Sequence, residues 1–309
     1  MSAPRKGFPV RRGWRLVPLL AVLISTTACL EYTVLLKVRP DGSGELVETT
    51  MMKGQMLEMA RAMTAMEGEE GGEGDSLMAG QAEEKRAEAE ARAAKLGPGV
   101  TLASWEPITG EDAEGDRAVF RFDDVTQLDL QPAPDSGDGE EAPATGPGES
   151  IRFRWADAGS GRRRLVAVFG EEEPPAETVA EGGGADDLEL AAEEGAAGAE
   201  GTEGFEEMAD AMGAGMMEMM KPFLAGMRMR VLVEVEGEVL ETDAPHAEGS
   251  QVTLLDLDFD QILADPAAWE KLSSLDSDAS LAVLGPQLQG LPGVLVPAGR
   301  EVAIEFRPR

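Results

Sequence analysis

Three acid-rich tracts decide how much of this chain of 309 residues can fold. Residues 67–90, 131–149 and 170–207 together hold 28 acidic and two basic residues, with little apolar content. Such segments cannot bury enough surface to offset the backbone entropy lost on ordering, about 1–2 kcal/mol per residue. A core must therefore come from the stretches between them, roughly 200 residues, the size of one domain. The formal charge is −32, and the tracts carry −26 of it. A body this acidic repels phosphate backbones, which excludes nucleic acid as a partner. The chain has one Cys and one His. That removes intramolecular disulfides, cysteine-zinc clusters and most His-based triads and metal sites. No catalytic residue, metal or cofactor is expected from any motif.

The N-terminus supplies the clearest address. Arg5, Lys6, Arg11, Arg12 and Arg15 form a basic stretch, and Leu16 to Ile24 is an apolar run too short to span a bilayer. Ser25-Thr26-Thr27-Ala28-Cys29 follows. This order is that of a secretory signal over residues 1–28, and its end resembles a bacterial lipobox. The resemblance implies cleavage before Cys29, a diacylglycerol on its thiol and a further acyl chain, such as palmitate, on its new amine. Leu30 stands where an inner-membrane retention signal would have Asp. The resemblance therefore implies the periplasmic face of the outer membrane of a Gram-negative cell. No later stretch is long and apolar enough to cross a membrane, so acylated Cys29 is the expected membrane partner.

Within 29–309 the patterning predicts a single α+β domain. Residues 31–50 alternate around the turn cluster Asp41-Gly42-Ser43-Gly44, as a hairpin does. Met52, Met56, Met59, Met63 and Met66 are spaced 4, 3, 4, 3, which predicts one helical face over 51–66. A second helix is expected over 83–95, stopped by Gly97-Pro98. Hairpins are expected pairing 99–106 with 117–124, 150–156 with 162–169, and 227–240 with 250–257. The run from 170 to 207 reads as disordered. A second Met-rich helix is expected over about 204–226, with Met208, Met212, Met216 and Met219 on one face. A further helix should start near Asp258 or Asp260 and reach Leu275, and Glu301–Phe306 should be the last strand. The expected architecture is an antiparallel sheet of hairpins with two or three Met-rich helices packed on it.

The order of elements resembles a family. A lipobox Cys runs straight into a strand ending in Pro40-Asp41-Gly42-Ser43-Gly44. Later, Arg228-Met229-Arg230-Val231 leads through Val235-Glu236-Gly237-Glu238 to Gly249-Ser250-Gln251-Val252-Thr253. Over residues 29–60 and 226–260 this is similar to the mycobacterial LppM-like lipoprotein domain. The resemblance implies an α/β domain on the outer side of a membrane, with a lipid- or glycolipid-binding role.

Fourteen of the sixteen methionines fall within 51–66 and 208–229. Thioethers suit Cu(I) in an oxidising compartment. A regular stripe suits packing better, because a metal site needs converging sulfurs, and flexible Met fills a helix–sheet interface well. A groove between the Met helices and the sheet is the third reading, with Met52, Met56, Met59, Met63, Met208, Met212, Met216 and Met219 lining it for a lipid or envelope protein. Arg152, Arg154, Arg162, Arg163 and Arg164 gather on one hairpin and are expected to pair with the protein's own acidic loops. The function expected is non-enzymatic binding by an envelope lipoprotein. The alternatives are a hydrolase with an unrecognised site, or Met-based copper binding.

Overall fold

A computed structural model describes residues 30–67, 81–131, 150–170, 221, 224–275 and 281–309. The signal segment with Cys29, most of the three acidic tracts, and Met208, Met212, Met216 and Met219 lie outside the described residues. So does most of the helix expected over 204–226.

The strands are β1 (Leu30–Val38), β2 (Gly44–Lys53), β3 (Thr101–Ile108), β4 (Ala113–Phe122), β5 (Asp129–Leu130), β6 (Ile151–Gly159), β7 (Arg162–Phe169), β8 (Met227–Val235), β9 (Gly237–Thr242), β10 (His246–Glu248), β11 (Gln251–Asp258), β12 (Val294–Leu295) and β13 (Glu301–Pro308). The helices are α1 (Gly54–Glu67), α2 (Ala82–Leu96), α3 (Phe259–Ala264), α4 (Pro266–Ser273) and α5 (Leu281–Leu288). They build a broadly α+β fold, but not one antiparallel sheet. An eight-stranded sheet has the order β10-β11-β8-β1-β2-β4-β3, with β12 on β11, and a five-stranded sheet has the order β5-β6-β7-β13-β9.

The larger sheet is mixed, which corrects the antiparallel expectation. β1 pairs antiparallel with β2, from Val38↔Gly44 to Leu30↔Met52, and parallel with β8, from Leu30↔Met227 to Val38↔Val235. A short turn forces β2 to reverse against β1. β8 arrives after a long excursion through β6 and β7, and such a connection permits parallel pairing. Paired residues share a face, so Val34, Leu36 and Val38 stand beside Val231, Val233 and Val235. All six are buried. One core cluster joins them to Phe120 of β4, to Phe169, Ile304 and Phe306 of the smaller sheet, and to Leu96, Ile262 and Trp269 of the helices.

Three expected boundaries move, each for a local reason. The helix expected over 51–66 starts at Gly54, because Met51 and Met52 continue the β2 ladder opposite Gly115 and Glu114. The single helix expected after Asp258 is two. Asp265, the residue before Pro266, is extended at φ −109, ψ 107, as a following proline demands, and its carboxylate caps α4 through Ala267 and Ala268 N–H. The hairpin expected between 227–240 and 250–257 is divided between the sheets. β8 pairs with β11 in the large sheet, whereas β9, one residue further on, pairs with β13 in the small one.

Gly237 makes that crossing possible. A Cβ there would stand 2.4 Å from the Arg307 carbonyl oxygen and 2.8 Å from Phe306 Cδ2. Gly237→Ala is expected to destabilise the fold by about 1–3 kcal/mol, the usual cost of overpacking a core. Urea unfolding measures it, and an unchanged midpoint would contradict the crossing geometry.

Candidate functional site

α2 lies over the large sheet and carries a buried charge into it. Its residues Ala89, Arg92, Ala93 and Leu96 are buried. The Arg92 guanidinium donates from one nitrogen to the Gln131 carbonyl at 2.9 Å and to Glu48 Oε1 at 3.3 Å. Glu48 shares a face with Val34 and Ala118, so its carboxylate stands among apolar neighbours. The Tyr32 hydroxyl completes the group by hydrogen bonding with Glu48 and Arg92.

The electrostatics follow from burial. Loss of water raises the Glu48 carboxyl above the usual carboxylate range, and the Arg92 charge and hydrogen bonds only partly offset it. Burial, reinforced by the Glu48 charge, also pushes the Tyr32 phenol up. Asp116 is raised by burial, against a hydrogen bond from Trp105 and the charge of Lys85. Glu31 goes the other way. Burial would raise it, but Lys53 at 2.9 Å and Arg230 at 2.5 Å outweigh that and hold its carboxyl below the usual range.

These shifts have opposite consequences for stability. A raised folded-state carboxyl contributes stability that is full below the unfolded value near 4.5 and is lost as pH rises through the folded value. The Glu31 contribution is present above its unfolded value and is lost as pH falls through the folded one. Glu48→Gln removes the first and leaves the second. Relative to wild type, the variant is therefore expected to gain stability between about pH 4 and about pH 7. Urea titrations at both pH values test this; a flat or falling difference would contradict it.

Beside α2 the sheet ends at β3, and between them runs an opening of about 570 Å³. Ala93, Val100, Leu102 and Trp105 contribute apolar surface, and Arg86 and Glu90 stand on the helix side. Arg86 and Glu90 pair with each other at 3.4 Å. A smaller opening of about 370 Å³ lies on the other sheet, between Arg152, Arg154, Trp155 and Val168.

The described methionines gather elsewhere. Met52, next to last in β2, stands beside Leu30 and is half-buried; Met56 is half-buried and Met59 is 48% exposed on α1. None of the three lines the α2–β3 groove. Met63 belongs to α1, but its side chain lies outside the described residues, as do Met208, Met212, Met216 and Met219.

The arginine hairpin meets carboxylates of the folded body. Arg152 pairs with Asp129 at 3.1 Å, Arg162 with Glu305 at 2.5 Å, Arg163 with Asp157 at 2.6 Å, and Arg154 with Glu301. Arg163 also donates to the Pro40 carbonyl at 3.1 Å, tying the small sheet to the β1–β2 turn. Within that turn Asp41 accepts from Ser43 N–H at 3.0 Å and from its hydroxyl at 2.7 Å, so the acidic Gly-rich cluster is a turn with its carboxylate engaged. The Tyr32–Glu48–Arg92 group was not singled out by motif. The signal for it is a Glu and an Arg each placed on an otherwise apolar face.

Among the described residues no helix is long and apolar enough to cross a membrane. The sequence matches no family model. It matches no curated protein. Among solved structures it is similar to the folded domain of LppM from Mycobacterium tuberculosis, at 8% identity and a TM-score of 0.28, covering 93% of this chain and 94% of that one. That is a weak resemblance.

Proposed function

We propose that this chain is a bacterial envelope lipoprotein. Acyl chains on Cys29 would hold it at the periplasmic face of the outer membrane, and its domain would be a non-enzymatic binding module. The observation that supports anchoring most directly is the position of Cys29. It immediately precedes Leu30, where β1 begins, and β1 is the inner strand of the large sheet between β8 and β2. The anchor and the fold are then one unit with no spacer.

The α2–β3 groove supports binding. It combines an apolar floor with a few polar groups at its wall, the usual make-up of a recognition site. One wall is the last strand of a sheet, which favours an extended protein segment added along β3 over a lipid chain. Native mass spectrometry of the full chain, purified in mild detergent, tests both parts. Diacylglyceryl and acyl mass on the Cys29 peptide, with a co-purified peptide or protein, is the expected result. An unmodified Cys29 overturns the anchoring. An empty protein that turns over esters or glycosides overturns the non-enzymatic reading, and a bound lipid replaces the protein ligand.

A further inference from the structure

We propose that the end of the large sheet where β1 begins is a membrane-contact surface, lying on the lipid headgroups with α1 against the bilayer interface. This rests on acylation of Cys29 as proposed above. Consecutive Cα atoms are about 3.8 Å apart, so acyl chains on Cys29 would enter the bilayer one residue from Leu30. Leu30 is not a loose tether. It pairs with Met52 on one side and Met227 on the other, and its N–H donates to the Gly226 carbonyl at 3.2 Å. A link of one residue would therefore keep the sheet end close to the headgroups.

What stands at that end suits the position. α1 leaves β2 there at Gly54, which takes φ +56, and crosses to the β3–β4 turn. Arg61 fastens it by donating to the Gly110 carbonyl at 3.0 Å, the Glu111 carbonyl at 3.3 Å and the Glu114 carboxylate. Met52 and Met227 flank Leu30, and Met59 projects from α1 at 48% exposure. Long flexible thioether side chains adapt to the disordered edge of a bilayer as they do to irregular cores.

The charge pattern agrees. Arg228 pairs with Asp256 at 2.7 Å, and Arg230 and Lys53 both close on Glu31. In a chain of formal charge −32, the carboxylates of Glu31 and Asp256 in the strands at this end are thus ion-paired, which lessens their repulsion from anionic headgroups. Glu58, Glu111 and Asp112 are exposed nearby and keep the contact shallow, leaving α1 at the interface and out of the hydrocarbon. The opposite end of β1 lies roughly 30 Å away, from nine residues at about 3.3 Å each.

Because Cys29 is the chain's one cysteine, its acylation leaves an introduced thiol free for specific labelling. Met59→Cys and, at the far end, Glu236→Cys would each carry a nitroxide in the full acylated chain, reconstituted in phosphatidylethanolamine–phosphatidylglycerol vesicles. At 59 the expected relaxation is dominated by dissolved oxygen. At 236 it is dominated by a water-soluble nickel complex. Nickel-dominated relaxation at both positions, on protein whose mass shows an acylated Cys29, overturns the contact surface and leaves the anchoring intact. An unmodified Cys29 overturns the anchoring itself, and the contact surface with it.

Discussion

Replacing Cys29 by serine is expected to move the chain from the membrane fraction to the soluble fraction. The thiol proposed above to carry the diacylglycerol would be gone, and the small-residue run Ser25 to Ala28 would no longer end in cysteine. Each buried CH₂ of an acyl chain contributes about 0.8 kcal/mol, so two or three chains anchor a protein stably, whereas one holds it marginally. Nothing among the described residues replaces that anchor with a membrane-spanning helix. The sheet-end contact proposed above is shallow and would not retain the domain alone. Phase separation in a cloud-point detergent is the direct measurement. Wild type is expected in the detergent phase and C29S in the aqueous phase. Equal partitioning into detergent would mean that another element holds the chain, and the lipoprotein reading would fail.

The second large effect concerns Arg92. Arg92→Met is expected to cost about 3–5 kcal/mol, because it leaves the buried Glu48 carboxylate without its cation. The two side chains are only 10% and 13% exposed, so water cannot substitute for the lost partner. The Gln131 carbonyl loses its donor as well. Removing both charges should be milder. In the R92M/E48Q double variant the amide oxygen can still accept from Tyr32, and no unpaired charge is buried. The double variant is expected to recover about 1–3 kcal/mol relative to R92M alone. Chemical denaturation of the four proteins closes the cycle. If R92M unfolds like wild type, or if the two substitutions simply add, the pair does not hold α2 on the sheet.

The strands were legible because their signal is local. Val34, Leu36 and Val38, or Ile151 and Phe153, recur at every second residue in the sequence, and they lie on buried faces in the structure. The hairpins β1–β2, β3–β4 and β6–β7 could be read from turn residues and alternation alone, and α2 from its helix formers and the Gly97-Pro98 stop. The break at Asp265-Pro266 was also there to be read, since the residue before proline resists the helical conformation. The Met stripe at 4, 3, 4, 3 was misleading at its first member. Met52 fits a helix period and a strand equally well in isolation, and the cross-strand partners Leu30 and Glu114 settled it as strand.

The sequence by itself determined where the acidic residues concentrate and which short segments are strands. Each of these depends on composition or on neighbours a few residues apart. Only the tertiary structure decided that β8 lies parallel to β1, that β8 and β9 belong to different sheets, and that Glu48 meets Arg92. These depend on contacts between residues far apart in the chain, such as Val34 with Val231 and Gly237 with Pro308. No periodicity encodes them. They are fixed by which combination of faces buries the most apolar surface while leaving each buried charge a partner.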